Sequence, residues 1–187
     1  RIKKGSDRFL LEMATGTGKT TTSAAIIKMF LRLYKVNRVL FLVDRLELET
    51  QAKKEINDIL SNDFETAIWK ENKDDWRRAN IVISTVQSFT KHNKYKRIFK
   101  PNSFDLVISD EAHRSLGASS RNVFEYFIGF KLGLTATPRD FLKSVNEDDM
   151  SMTDPKELER RLMLDTYSIF GCDDGEPTFR YSLLDGV

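Results

Sequence analysis

The sequence predicts a three-layer α/β domain, a mainly parallel β-sheet with helices on both faces. Three observations carry this reading. Short apolar runs return at intervals and alternate with segments of helical periodicity. Runs such as Val39 to Val43 are continuously apolar, the pattern of strands buried on both faces. The stretches between several of them have the length of crossover helices, which parallel neighbours require. With 187 residues, 40% of them hydrophobic, the chain has apolar material for one core; this excludes general disorder and points to one domain with an appendage.

In chain order, Phe9 to Met13 reads as a strand ending at a Thr/Gly loop, followed by a helix over Lys19 to Tyr34 whose apolar positions are Ala24, Ala25, Ile27, Met29, Leu31 and Leu33. Arg38 to Asp44 repeats the strand, and Glu47 to Leu60 repeats the helix with Leu48, Ala52, Ile56, Ile59 and Leu60. Phe64 to Trp69 and Ile81 to Ser84 are further strands, joined by a polar stretch around Trp76 with room for a helical turn. Asp105 to Asp110 and Lys131 to Thr135 follow, with a helix at Asn122 to Phe127 between them. From Phe141 the composition turns acidic at Glu147, Asp148 and Asp149, the pattern of a mobile loop. Asp154 as N-cap, Pro155 in the first turn and Glu157 as the return half of a capping box start a last helix that carries Leu158, Leu162 and Ile169 and stops at Gly171. Cys172 to Val187, rich in Gly and Asp, reads as a linker without chemistry of its own. The chain thus divides into a domain over residues 1–140 and an extension over 141–187.

Thirty basic against 28 acidic residues give a net charge of +2, too balanced for binding a polyanion by bulk charge, so any nucleic-acid contact is local. A single cysteine, Cys172, excludes an intramolecular disulfide and a cysteine zinc cage, and fits a reducing cytoplasm. Only His92 and His113 remain as imidazole ligands. No apolar run approaches the ~20 residues of a membrane span, and no export signal follows the basic N-terminus. The sequence opens without Met, which suggests a piece of a longer polypeptide.

Two stretches carry chemistry. Ala14-Thr-Gly-Thr-Gly-Lys-Thr20 lies between a strand and a helix, where a phosphate-binding loop belongs. Small residues let backbone N–H groups turn towards a polyphosphate, so Thr15, Gly16, Thr17, Gly18, Lys19, Thr20 and Thr21 are the candidate nucleotide ligands. Lys19 reaches the β and γ phosphates and the Thr20 hydroxyl holds Mg2+. The general pattern asks for Gly where this chain has Met13. Asp110-Glu-Ala-His113 leaves the apolar strand Leu106 to Ser109 at the carboxyl edge, where open α/β sheets bind ligands. Asp110 is placed to hold the metal and Glu111 to orient or deprotonate a water.

With these residues in place, the chain resembles the first RecA-like P-loop NTPase domain of a superfamily 2 helicase or translocase of the DEAH-box kind. The matching segments are Ala14 to Thr20, Leu42 to Gln51, Ser84 to Ser88, Asp110 to His113 and Gly133 to Pro138, in the order of motifs I, Ia, Ib, II and III. Leu42-Val-Asp-Arg45 with Gln51, Asp110 to Ser115, and Gly133 to Pro138 look most like the motor of the R (HsdR) subunit of type I restriction-modification enzymes. The resemblance implies ATP and Mg2+ as cofactors, Lys19, Asp110 and Glu111 as catalytic residues, and Thr20 and Asp110 at the metal. It implies that His113, Thr135 and Thr137 couple the nucleotide to domain movement, and that Arg45, Thr85 and Gln87 face the nucleic acid. For Arg45 and Gln87, a helix N-terminal charge and a strand-end polar residue stand as equal readings.

The implied activity is ATP-driven translocation on double-stranded DNA in the cytoplasm. The implied partners are a second RecA-like domain of the same polypeptide, which supplies an arginine to the γ-phosphate, and the methylation and specificity subunits of a restriction complex. A nuclease domain would lie upstream. A DEAH-type DNA repair or RNA helicase, and a nucleotide-gated nucleic-acid-binding module without turnover, are the alternatives. Outside these motifs, Lys91 to Lys100 interleaves basic residues with Tyr95 and Phe99; a solvated basic helix with inward aromatics competes there with a nucleic-acid contact. Phe124, Phe127 and Phe130 read as core.

Overall fold

Every strand pairing among the described residues is parallel, so the carboxyl ends of all the strands open onto one edge. The computed structural model describes residues 5–33, 36–60, 63–69, 71, 75–113, 118–140, 165–172 and 175–181. Seven strands form a single sheet in the order β3-β4-β2-β5-β6-β1-β7. They are β1 (Arg8–Met13), β2 (Val39–Val43), β3 (Thr66–Ile68), β4 (Ile81–Thr85), β5 (Leu106–Ser109), β6 (Phe130–Thr135) and β7 (Phe179–Tyr181). The helices are α1 (Lys19–Leu33), α2 (Leu46–Leu60), α3 (Asp75–Arg78), α4 (Val86–Thr90), α5 (Lys94–Ile98), α6 (Ala118–Tyr126) and α7 (Thr166–Ile169).

Alternation along the strands divides the apolar side chains between two layers. Phe9, Leu11, Phe41, Ile83, Ile108 and Leu134 pack with Ala24, Ile27 and Phe30 of α1 and with Ala52, Ile56 and Leu60 of α2. Leu10, Leu40, Leu42, Val82 and Val107 face the other way, onto an aromatic layer built from Trp76, Phe89, Tyr95, Phe99, Phe104 and Phe127. On that side β6 presents Lys131, Gly133 and Thr135, and Gly133 is required there because a Cβ would lie 2.6 Å from the Phe170 ring. Phe124 and Phe127 are core, as expected, while Phe130 is half-buried and meets Phe30 edge-on with centroids 5.3 Å apart.

The predicted strands and the helices at Lys19 and Glu47 are present within a few residues of their expected ends. β3 keeps only Thr66–Ile68 of the six residues predicted. α6 starts at Ala118, four residues earlier than its apolar pattern suggests. The predicted start of the last helix, Asp154 to Glu157, and the acidic stretch at Glu147 lie outside the described residues. Asp165 has extended backbone (φ −78°, ψ 127°) and caps Ser168 N–H at 2.9 Å, so the helix that stops at Gly171 begins at Thr166 rather than continuing from Asp154. Gly171 has φ +64°, the left-handed stop that glycine permits. The stretch read as a linker contributes β7, which pairs with β1 from Leu11↔Phe179 to Met13↔Tyr181.

Candidate functional site

β1 delivers the candidate phosphate loop. Met13 ends the strand with its side chain in the core, 3% exposed, so the position that departs from the general pattern belongs to the strand and the turn itself begins at Ala14. Gly16 (φ +83°) and Gly18 (φ +82°) make that turn, in a backbone conformation that would strain any other residue. Thr17 closes it with both its N–H and its hydroxyl on Ala14 O, at 3.3 and 2.7 Å. Thr15 and Gly16 are exposed, and the space beside Gly16 is open. α1 then starts at Lys19 with no acid of its own in its first turn, so no residue of the helix opposes the positive end that carries Thr20 and Thr21.

β5 delivers the acids. Asp110 N–H donates to Leu42 O at 2.9 Å, and Ala112 N–H to Leu134 O at 2.8 Å, so the two residues are pinned to different neighbouring strands. Glu111 between them takes a left-handed backbone (φ 52°), uncommon for a residue with a side chain and of order 1–2 kcal/mol in cost. Its carboxylate meets Lys19 across the loop, with Nζ to Oε1 at 2.7 Å. The same carboxylate lies 3.4 Å from His113 Nδ1 through Oε2. His113 Nδ1 is 2.7 Å from Thr135 Oγ1, which also accepts from Thr137 N–H at 3.1 Å, and Thr137 Oγ1 is 3.5 Å from His113 Nε2. Lys19, Glu111, His113, Thr135 and Thr137 therefore form one continuous polar chain from the phosphate loop to the end of β6.

Burial pushes the Asp110 carboxyl above the ordinary aspartate range, partly countered by the positive charge of Lys19. A buried acid with an unfavourable charge gains from a cation beside it. Asp110 and the Thr20 hydroxyl are hard oxygen donors suited to Mg2+. Among the described residues no group of three or more His, Cys, Asp and Glu side chains gathers, so such an ion would complete its shell from phosphates and water.

Two of the three expected nucleic-acid residues are on the surface. Arg45, between β2 and α2, is exposed with Nε 3.6 Å from Asp44 Oδ2, and Gln87 is exposed in the first turn of α4. Thr85 differs. It is 2% exposed, its hydroxyl accepts from Ser88 N–H at 3.1 Å as the cap of α4, and its own N–H donates to Glu49 Oε1 at 2.6 Å. Its hydroxyl is thus spent on the helix cap and shapes the loop from inside.

The sequence reading missed Glu49, 8% exposed, although its spacing of three and seven residues from Ala52 and Ile56 puts it on the buried face of α2. It also missed Glu12. Inside the apolar first strand, that carboxylate accepts from Arg180 Nε at 3.0 Å and from the Tyr167 hydroxyl at 3.3 Å, tying the C-terminal segment beside the phosphate loop. Burial and the neighbouring Glu12 charge push the Tyr167 phenol up to about 12.

Comparison with known proteins adds the following. The family described as type III restriction enzyme, res subunit, matches residues 1–140. An Escherichia coli protein, the type I restriction enzyme EcoAI endonuclease subunit, is 32% identical over 197 aligned positions that take in 100% of this chain and 20% of the relative. The chain thus spans about a fifth of that relative's length. The structure of an HsdR-subunit fragment of a type I restriction enzyme from Vibrio vulnificus YJ016 superposes with a TM-score of 0.60 at 27% identity, covering 99% of this chain and 28% of that one. The Hef helicase domain of Pyrococcus furiosus superposes with a TM-score of 0.66 at 19% identity, over 94% of this chain and 35% of that one, and shares the RecA-like helicase fold.

Proposed function

We propose, since this chain belongs to the type III restriction enzyme, res subunit family, that it is the ATP-binding and ATP-hydrolysing motor domain of an ATP-dependent double-stranded DNA translocase, in the restriction subunit of a type I restriction endonuclease. The type I assignment is supported by the identity to the E. coli endonuclease subunit along the whole of this chain and by the superposition on the Vibrio HsdR fragment. In this reading residues 1–140 are the first RecA-like domain, and residues 141–187 are an extension towards a second one, anchored on the sheet through α7 and β7. The second motor domain and the methylation and specificity subunits are the proposed partners, in the cytoplasm.

One observation carries the catalytic assignment: the 2.7 Å contact of Lys19 with Glu111, which joins the phosphate loop to the acidic end of β5. Residues Thr15 to Thr21 would cradle the triphosphate, and Thr20 and Asp110 would hold Mg2+, which supplies charge neutralisation on the phosphates. Lys19, drawn onto the β and γ phosphates, releases Glu111. The freed carboxylate is then available as the base that takes a proton from the attacking water. His113 senses the change through Glu111 and passes it by Thr135 and Thr137 to the chain that follows β6. Phosphoryl transfer asks for positioning and electrostatics more than covalent chemistry, and these residues provide both.

The test is steady-state phosphate release by the intact protein. Lys19→Ala is expected to abolish nucleotide binding. Glu111→Gln is expected to bind ATP and lose roughly two or more powers of ten in turnover. A Glu111→Gln protein that hydrolyses ATP at the parental rate removes Glu111 from the mechanism.

A further inference from the structure

Charge is distributed unevenly along this chain. Lys91, Lys94, Lys96, Arg97 and Lys100 fall within ten residues that contain no acid; without these five charges, the net +2 of the chain becomes −3. On a chain of nearly balanced charge, this segment is therefore a local cationic patch. All five side chains are exposed, and among the described residues none of them is in an ion pair. α6, which packs against this segment, does not neutralise it: its acid Glu125 is held by Arg8 at 3.0 Å.

The segment is also rigidly mounted. Tyr95 is fully buried, with its hydroxyl directed at Asn122 O, and Phe99 is 4% exposed inside the aromatic layer. Tyr95 and Phe99 are therefore anchors, unavailable for base stacking. Two successive left-handed residues, His92 (φ 56°) and Asn93 (φ 53°), bend the chain between α4 and α5. A bend of this kind is unfavourable for residues with side chains and persists where surrounding packing enforces it. Lys91 stands one helical turn beyond the exposed Gln87, and Lys94 and Arg97 are neighbours at i, i+3 on α5. Lys96 differs, since its Nζ rests 5.8 Å from the ring centroids of both Tyr95 and Tyr126.

We infer that Lys91, Lys94 and Arg97 form a phosphate-binding ridge for the backbone of duplex DNA, which extends the contact surface from Gln87 across the α4–α5 face. This inference rests on the translocase reading above. Because Lys91, Lys94 and Arg97 are cations that meet phosphate oxygens, the ridge binds without sequence preference. Lys96, committed to its two tyrosines, contributes little.

Binding of fluorescein-labelled duplex DNA to the intact protein, measured by anisotropy over a series of KCl concentrations, tests it. The parent is compared with the triple variant Lys91→Ala, Lys94→Ala, Arg97→Ala, with Lys96→Ala, and with the charge-preserving set Lys91→Arg, Lys94→Arg, Arg97→Lys. The triple alanine variant is expected to bind more weakly on every sequence and to lose about 0.9 from the log–log salt slope for each phosphate contact removed, between two and three in all. Lys96→Ala and the charge-preserving set should keep the parental slope, and ATP affinity should be the same in all four proteins. A triple alanine variant that binds DNA with the parental slope overturns the ridge and leaves the translocase reading standing. A parent that shows no salt-dependent duplex binding overturns both.

Discussion

Asp110 is a half-buried acid and Glu49 a buried one, and they differ in what compensates their charge. Glu49 accepts a short hydrogen bond from Thr85 N–H, whereas Asp110 has the N–H of Glu111 at 3.0 Å and the more distant help of Lys19. The raised Asp110 pKa means that its charged form is disfavoured in the folded chain without nucleotide. Asp110→Asn is therefore expected to stabilise that chain by about 0.5–2 kcal/mol, as relief of strain at a functional site commonly does, and to weaken Mg2+-dependent nucleotide binding. Thermal unfolding without nucleotide and a nucleotide titration with Mg2+ check the two halves; a destabilised variant contradicts the assignment of burial as the dominant cause. Glu49 should behave in the opposite way. Glu49→Ala leaves a buried N–H without its acceptor and is expected to cost about 1–3 kcal/mol, whereas Glu49→Gln keeps an acceptor and costs less. Equal losses in the two variants, measured by urea unfolding, would mean that the carboxylate charge, which both remove, outweighs the side-chain packing and the neutral hydrogen bond.

Between elements, the least expected contact is the return of residues 165–181 onto the sheet. Phe170 fills the space above Gly133 at the middle of β6, and β7 hydrogen-bonds through Tyr181 O to Ala14 N–H, the first residue of the phosphate loop. Gly133→Ala drives a methyl group into the Phe170 ring and is expected to cost about 1–3 kcal/mol. Phe170→Leu opens room, so the double variant should lose less than the sum of the two single ones. Strict additivity in a double-mutant cycle would show that the ring moves aside freely. The Arg180–Glu12 pair is half exposed, and its removal by Arg180→Ala should change stability by no more than about 1 kcal/mol.

For the molecule as a whole, the polar chain from Lys19 to Thr137 lies along one edge of one sheet and would supply one wall of the proposed nucleotide site. In the proposed motor the opposite wall, with its arginine, belongs to the second RecA-like domain. Such an arginine contributes about 10³ to 10⁵ in rate in related phosphoryl-transfer enzymes. The 187 residues alone are therefore expected to bind ATP weakly and turn it over slowly, with no stimulation by duplex DNA. Phosphate release is compared with that of a polypeptide extended through the next domain. Equal rates and an equal response to DNA would show that one domain is sufficient.

The sequence by itself determined the parallel sheet and singled out the loop and acids of the proposed nucleotide site, because both are written in local patterns. Continuous apolar runs mark β2, β4 and β5, and the spacing of Gly16, Gly18 and Lys19 between a strand and a helix marks the phosphate loop. Asp110 and Glu111 are legible as the residues that follow a buried strand. The tertiary structure alone decided which groups touch. The pairing of Lys19 with Glu111 spans 92 residues and depends on a left-handed backbone at Glu111 that no neighbouring residue announces. The burial of Thr85 depends on a carboxylate 36 positions away. β7, three residues with mostly exposed side chains among Gly, Asp and Pro, has no periodicity to read and becomes a strand because β1 offers it an unpaired edge. Local patterns fix which elements form, whereas long-range packing chooses their partners, and in this chain the contacts proposed for catalysis and for coupling belong to the second kind.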